Sequence, residues 1–142
     1  MGRIDLDRFI AGYRRNTELL HRGDVEKAFA WVPPELEWHV LADSLPEDIY
    51  VEAQPILRGR EEVLAYFRQM AEDWDWRPEG REFDDPGDGT VVVRAVGTMT
   101  GRASGLRGEV RFTQVWVLGE DGVPVRVRER LDDYWLEGTR PV

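Results

Sequence analysis

EVRFTQVWVLGEDGVPVRVRERL, residues 109–131, alternates apolar and polar side chains on either side of a Glu120-Asp121-Gly122 turn. Period two is the spacing of a strand with one buried face, and Asp-Gly between two such runs signals a hairpin. In the second arm Val125, Val127, Glu129 and Leu131 share one face while Arg126, Arg128 and Arg130 share the other. Three arginines cannot all be buried, so the valine face is predicted to turn inward and to carry Glu129 with it. In the first arm Val110, Phe112, Gln114, Trp116 and Leu118 form the bulkier face, with Gln114 its only polar member.

Upstream, Thr90 to Thr100 reads as another long strand, joined to the hairpin by the glycine-containing stretch Gly101 to Gly108, a flexible connection. Arg81 to Asp84 reads as a short strand closed by the turn Asp85-Pro86-Gly87-Asp88-Gly89. Val63, Phe67, Met70 and Trp74 recur at helical spacing, which predicts a helix from about Arg60 to Asp75. Leu36 to Leu41 alternates, with Leu36, Trp38 and Val40 inward, and a loop rich in Asp, Ser, Pro and Glu follows. The chain begins with two helices. Asp5 caps the first, whose seam of Leu6, Phe9, Ile10, Tyr13, Thr17 and Leu20 runs to a stop at Gly23; Asp24 caps the second, which Pro33-Pro34 ends. Helices followed by a β-meander predict an α+β fold, a cone-shaped barrel in which three helices of the N-terminal half pack on the concave face of a curved mixed or antiparallel sheet. Residues 1–142 read as one domain with a cavity at the open end of the sheet.

Composition narrows the chemistry. With 42% hydrophobic, 33% charged and 11% aromatic residues, the chain is too apolar for disorder at a net charge of -9. That charge opposes binding to a phosphate backbone, so no nucleic acid is expected as a partner. The absence of cysteine removes disulfides, thiolate catalysis and cysteine-ligated metals, and it fits a reducing cytoplasm. No apolar run approaches membrane-spanning length, so no membrane partner is expected. Lys27 is the only lysine, which leaves a Schiff-base mechanism a single, exposed position. No metal-ligand spacing, nucleophile elbow or phosphate-binding glycine loop is present, and neither a metal nor a cofactor is expected.

The candidate site follows from the inward faces. Glu129 among apolar neighbours would be desolvated, which raises a carboxyl group's pKa and suits it to proton transfer near neutral pH. Its competing reading is a rim glutamate paired with an arginine. Gln114, if buried, needs partners from the protein or from a ligand. Tyr13 and Asn16 on the first helix offer hydrogen bonds to a ligand oxygen or anchor helix to sheet. Trp31, Trp38, Val40 and Trp116 would line a hollow for a flat hydrophobic molecule. His39 adjoins Trp38 but falls on the opposite strand face if alternation holds, and His21 stands near a helix C-terminus as a favourable charge. Valines on the outer face, Val115, Val117 and Val96, predict a homodimer through the sheet.

Several stretches together carry a family resemblance: residues 19–24 (LLHRGD) ending the first helix, residues 37–40 (EWHV) on the first strand, residues 58–67 (RGREEVLAYF) entering the third helix, and residues 112–116 (FTQVW) before the hairpin. In this order the chain resembles the nuclear transport factor 2-like superfamily, particularly its SnoaL-like, polyketide cyclase-like branch, over nearly its whole length. The resemblance implies a cone with a pocket and a range of activities: isomerases, cyclases, epoxide hydrolases, and proteins that only bind. Set against the ketosteroid isomerase pattern of a carboxylate base, a tyrosine and a protonated aspartate, the base position falls on Val40 or His39, the aspartate position on Gln114 and the tyrosine position on Asn16, with Tyr13 one turn away. None of these residues is the isomerase's own. The expected function is general acid–base chemistry by Glu129 on a small hydrophobic carbonyl or epoxide compound; the alternative is a noncatalytic dimeric module that binds a ligand or a protein.

Overall fold

Asp5 starts the first helix by accepting a hydrogen bond from the Arg8 backbone N–H at 3.1 Å. In the computed structural model, which describes residues 4–40 and 56–137, α1 then runs Leu6–His21 and Gly23, at φ 78°, turns the chain out of it. Asp24 caps the short α2, Val25–Ala28. Val25, Ala28, Phe29 and Val32 are all buried, but the helix stops at Ala28, short of the Pro33-Pro34 expected to end it. The strand β1, Glu37–His39, follows with Leu36, Trp38 and Val40 buried, as their alternation requires. Leu41 and the polar loop expected after it lie outside the described residues.

The strand β2, Ile56–Arg58, pairs with β1 and leads directly into α3, Gly59–Asp73. Three residues are too few for a legible alternation, and sequence reading passed over this strand. Gly59 is required at the junction: its φ is 76°, and a Cβ there would meet the Pro34 carbonyl oxygen at 2.9 Å. Glu62 reaches back to the Arg58 N–H at 2.9 Å and so closes the start of α3. At its other end no basic residue lies in the last turn, and Arg102 from beyond the sheet serves instead, its Nε donating to the Ala71 carbonyl at 2.7 Å.

Three long strands complete the sheet with the strand after them: β3 (Trp74–Asp84), β4 (Thr90–Gly101), β5 (Arg107–Leu118) and β6 (Pro124–Leu136). Two expectations are corrected. The helix ends two residues early and the short strand at Arg81 starts at Trp74, because Trp74 fits both the helical period of Met70 and the strand period of Trp76. The tail after Leu131 continues β6, since an extra residue at Asp132 shifts the register between Leu131 and Asp133 and disguises the alternation. The connection after β4 is also shorter than expected, because Gly101 and Arg107 both belong to strands.

The six strands are ordered β2-β1-β6-β5-β4-β3, with β1 parallel to β6 and every other pair antiparallel. The sheet is curved, mixed and unclosed. Pro78, which has no N–H to give a neighbour, is tolerated because β3 is an edge. Helices cover the concave face: α1 lies along β3, where His21 Nε2 and the Pro78 carbonyl are 2.7 Å apart. His21 therefore ties helix to strand, a more specific role than the charge at a helix end that was expected of it.

Gly97 on β4 leaves a slot for the Trp76 indole, which reaches across to Phe112 at a ring-centre distance of 6.0 Å. A Cβ on Gly97 would overlap the edge of that ring. We expect Gly97→Val to lower stability by about 1–3 kcal/mol through overpacking, as measured by urea denaturation; an unchanged midpoint would show that Trp76 is free to leave the slot.

Candidate functional site

β5 and β6 pair so that Gln114 stands directly opposite Glu129, with Trp116 opposite Val127 and Phe112 opposite Leu131. Directly opposed residues in an antiparallel pair point to the same side of the sheet. Val127 is fully buried and Gln114 is 5% exposed, so this is the concave side, and Glu129 is on it, half-buried. Arg126, Arg128 and Arg130 are exposed on the convex side. The valine face turns inward and takes the carboxylate with it.

The buried amide of Gln114 has its partners. The Tyr13 hydroxyl donates to Gln114 Oε1 at 2.8 Å, and Trp116 Nε1 donates to the same oxygen at 3.0 Å. An indole N–H can only donate, so the atom receiving it must be the amide oxygen. The amide nitrogen is thereby aimed at Glu129, and Gln114 Nε2 donates to Glu129 Oε2 at 2.7 Å. A chain of hydrogen bonds runs from α1 across the sheet: Tyr13, Gln114, Glu129.

Aromatic rings wall this chain. Trp116 packs against Tyr13, Phe9, Trp31 and Trp38 at centre-to-centre distances of 5.5 to 5.9 Å. Trp31 is tied to its own backbone by a 3.0 Å bond from Nε1 to the Ala28 carbonyl. Trp38 is 4% exposed, and its Nε1 meets no acceptor among the described residues. Val40 is fully buried one strand away.

Two candidates stand apart from the rest. His39 lies level with Arg128 on the convex side, 3.4 Å from the Glu37 carboxylate, and is not brought to Glu129. Asn16 is half-buried on α1, but the residue of that helix that reaches Gln114 is Tyr13, one turn earlier. A further residue, Tyr66 on α3, is near enough for the Glu129 charge to act on its phenol. Sequence reading assigned it no role, although it stands at helical spacing from Val63 and Met70, residues that mark the inner stripe. Among the described residues no group of three His, Asp or Glu is gathered as a metal ion would need.

A cleft of about 190 Å³ lies elsewhere, between the end of α1, the last turns of α3 and the start of β3. Phe67, Met70, Trp74 and Trp76 line it; Gln114 and Glu129 do not. Among the described residues no helix is long and apolar enough to cross a membrane.

A sequence profile of the SnoaL-like domain matches residues 13–127. That span holds Tyr13, Trp38 and Gln114, and Glu129 lies just past it. Among solved structures, the fold is similar to SalBIII, described as an epoxide hydrolase/cyclase-like enzyme in pyran ring formation in the polyether salinomycin, at 16% identity and a TM-score of 0.72 over 92% of this chain and 96% of that one. It is also similar to a putative isomerase from Bacillus subtilis, at 14% identity and 0.71 over 86% and 84%. An NTF2-like protein of unknown function from Burkholderia pseudomallei K96243 matches at 22% identity and 0.67 over 86% and 88%. No curated protein matches the sequence significantly.

Burial first, and then the negative charge of Glu129, hold the Tyr13 and Tyr66 phenols well above the ordinary tyrosine value of 10.0. In the unfolded chain both ionise near that value, so above it the native state binds more protons than the unfolded one. The stability these phenols contribute is therefore fully present below about pH 10 and declines as pH rises beyond it. Urea midpoints measured between about pH 9 and pH 11 should fall, and the fall should be shallower in a Tyr13→Phe, Tyr66→Phe double variant. A double variant with the wild-type slope would show that neither phenol is held protonated.

Proposed function

The chain belongs to the SnoaL-like domain family, and from that premise we propose that it is a cytoplasmic pocket enzyme that acts by general acid–base chemistry on a small hydrophobic carbonyl or epoxide compound. One observation carries the proposal. Glu129 is set on the concave face and gripped by an amide whose orientation two other donors dictate. A carboxylate fixed in this way keeps its aim toward a bound substrate, and positioning is worth as much to proton transfer as basicity. The similarity to a cyclase-like enzyme and to a putative isomerase supports the same class of reaction.

Each residue has a role in the proposed cycle. Glu129, ionised, removes a proton from the carbon beside a ketone, and the electron pair moves onto the carbonyl oxygen. The Tyr66 phenol, protonated across the neutral range, donates a hydrogen bond to that developing oxyanion. Glu129, now a carboxylic acid, returns its proton to a second carbon, and the double bond is moved with no net change of atoms. On an epoxide the same carboxylate would take a proton from the attacking water while a phenol protonates the opening oxygen. Tyr13 does not touch the substrate; its proton is committed to Gln114, and it acts by holding that amide. Trp31, Trp38, Val40 and Trp116 form apolar walls suited to a flat hydrophobic body.

The test is deuterium exchange from heavy water into small hydrophobic ketones, with hydrolysis of an aryl epoxide run beside it. Glu129→Gln should lower the rate by about 10²–10⁴-fold with the fold intact by circular dichroism. If Glu129→Gln keeps the wild-type rate, or the wild type turns over neither compound class, the acid–base reading is wrong.

The convex face supports a second part of the proposal, a homodimer through the sheet. Val92, Val96, Val115 and Val117 form a half-buried apolar strip there, among exposed arginines. Val115→Glu should convert a dimer to a monomer in analytical ultracentrifugation, and a wild-type chain that sediments as a monomer at micromolar concentration rules the dimer out.

A further inference from the structure

In an antiparallel pair each residue turns its N–H and C=O to the same side, and successive residues alternate. On the edge strand β3, Trp74 gives its N–H to the Met70 carbonyl, and the Pro78 carbonyl lies 2.7 Å from His21 Nε2, so these two residues face away from β4. Trp76 stands midway between them, ahead of the register shift between Gly80 and Glu82, and its N–H and C=O therefore open on the same outer edge. That edge is one wall of the cleft between α1, α3 and β3. The other walls are cationic. Arg102 is fixed beside the cleft, its Nε on the Ala71 carbonyl and its backbone N–H on the Asp73 carbonyl at 3.0 Å, while its terminal amino groups remain for another acceptor. Arg22 lines the opposite side, at the end of α1, and forms no ion pair with a described acid. Arg77 and Asp75, 3.2 Å apart, neutralise one another. Both helices end at the cleft, each bringing about half a negative charge, so Arg22 and Arg102 together outweigh them.

We propose that this cleft is an anion site, separate from the concave interior, and that it takes a small carboxylate carrying a single ring or short apolar chain. The donors select the head group. A carboxylate offers one oxygen to the Trp76 N–H and the other to a guanidinium group, whose planar fork it matches. A cation is repelled by the same arginines, and a neutral molecule gains nothing from them. On a chain of net charge -9, a cleft whose lining carries this excess of positive charge is where an anion is drawn in. Phe67, Met70 and Trp74 supply an apolar wall for the rest of the molecule. The volume sets its size: about 190 Å³ falls below the usual range of roughly 300–1,000 Å³ for drug-sized ligands, which leaves room for one small ring and none for a nucleotide. Gln114 and Glu129 do not line this cleft, so the site stands whether or not Glu129 performs acid–base chemistry.

The experiment titrates the full chain, labelled with ¹⁵N, with benzoate and with benzamide, which has the same shape and no charge. Benzoate should move the Trp76 backbone amide signal downfield as that N–H acquires an acceptor, and should bind at least about tenfold more tightly than benzamide, the worth of one charge-assisted hydrogen bond. Raising the ionic strength from about 50 to about 500 mM should weaken benzoate and leave benzamide unchanged, since screening acts on the charge alone. An Arg22→Gln, Arg102→Gln double variant should lose most of the benzoate affinity with its circular dichroism unchanged, and Glu129→Gln should bind benzoate as the wild type does. Benzamide binding as tightly as benzoate, or a folded double variant with wild-type affinity, overturns the proposal. So does a benzoate titration that shifts the Gln114 side-chain amide in place of the Trp76 signal, which would put the molecule inside the cone. If the double variant does not fold, the two titrations of the wild-type chain decide the matter by themselves.

Discussion

The amide of Gln114 links the first helix to the two central strands, and its orientation is decided by what surrounds it. A phenol and an indole both donate to one end, which makes that end the oxygen and leaves the nitrogen facing Glu129. Turning the amide round would set three donors against one another at one end and a carboxylate against a carbonyl oxygen at the other. In a buried site either mismatch costs far more than an average hydrogen bond contributes. The carboxylate of Glu129 therefore has one neighbour whose position is not negotiable, and the interior is organised around it.

The rings make that arrangement rigid. Trp116 touches four other aromatic side chains, and one of them, Tyr13, makes the second bond to Gln114. Because the tilted and edge-on contacts interlock, rotating one ring requires its neighbours to move. The glycines are part of the same packing: Gly97 is buried on the concave side because Trp76 occupies the space its side chain would take. Convex and concave faces are then separated by charge, with Arg126, Arg128 and Arg130 exposed on one side and Glu129 on the other. Tyr13, Gln114 and Glu129 thus form a polar chain among apolar rings.

The alternation of residues 109–131 was enough to place Glu129 and Gln114 on the inner face. It worked because a period of two is a property of the strand alone, and three arginines set the sign. The first helix was equally legible through Asp5 and Gly23, and the start of the second through Asp24, whose effects are local; the end of the second was not, since it stops at Ala28 and not at Pro33-Pro34. Elsewhere local signals competed. Trp74 belongs to two periods at once, and the strand won because the paired strand β4 supplies its hydrogen bonds, which no local pattern announces. The bulge at Asp132 hid the end of β6 in the same way. β2 exists only as a partner of β1.

The amino-acid sequence by itself determined the class of fold, the inward faces of β5 and β6 and the place of Glu129 on one of them. These follow from side-chain period and from the cost of burying charge, both of which act over a few residues. Only the tertiary structure decided that Tyr13 meets Gln114, 101 positions away, that Tyr66 lies within reach of the Glu129 charge, that His39 faces outward beside Glu37, and that Trp38 is packed among Phe29, Phe67 and Trp116. Such meetings depend on how a curved sheet and three helices close on one another, and that geometry is set by the sum of the packing, not by any segment that takes part in it.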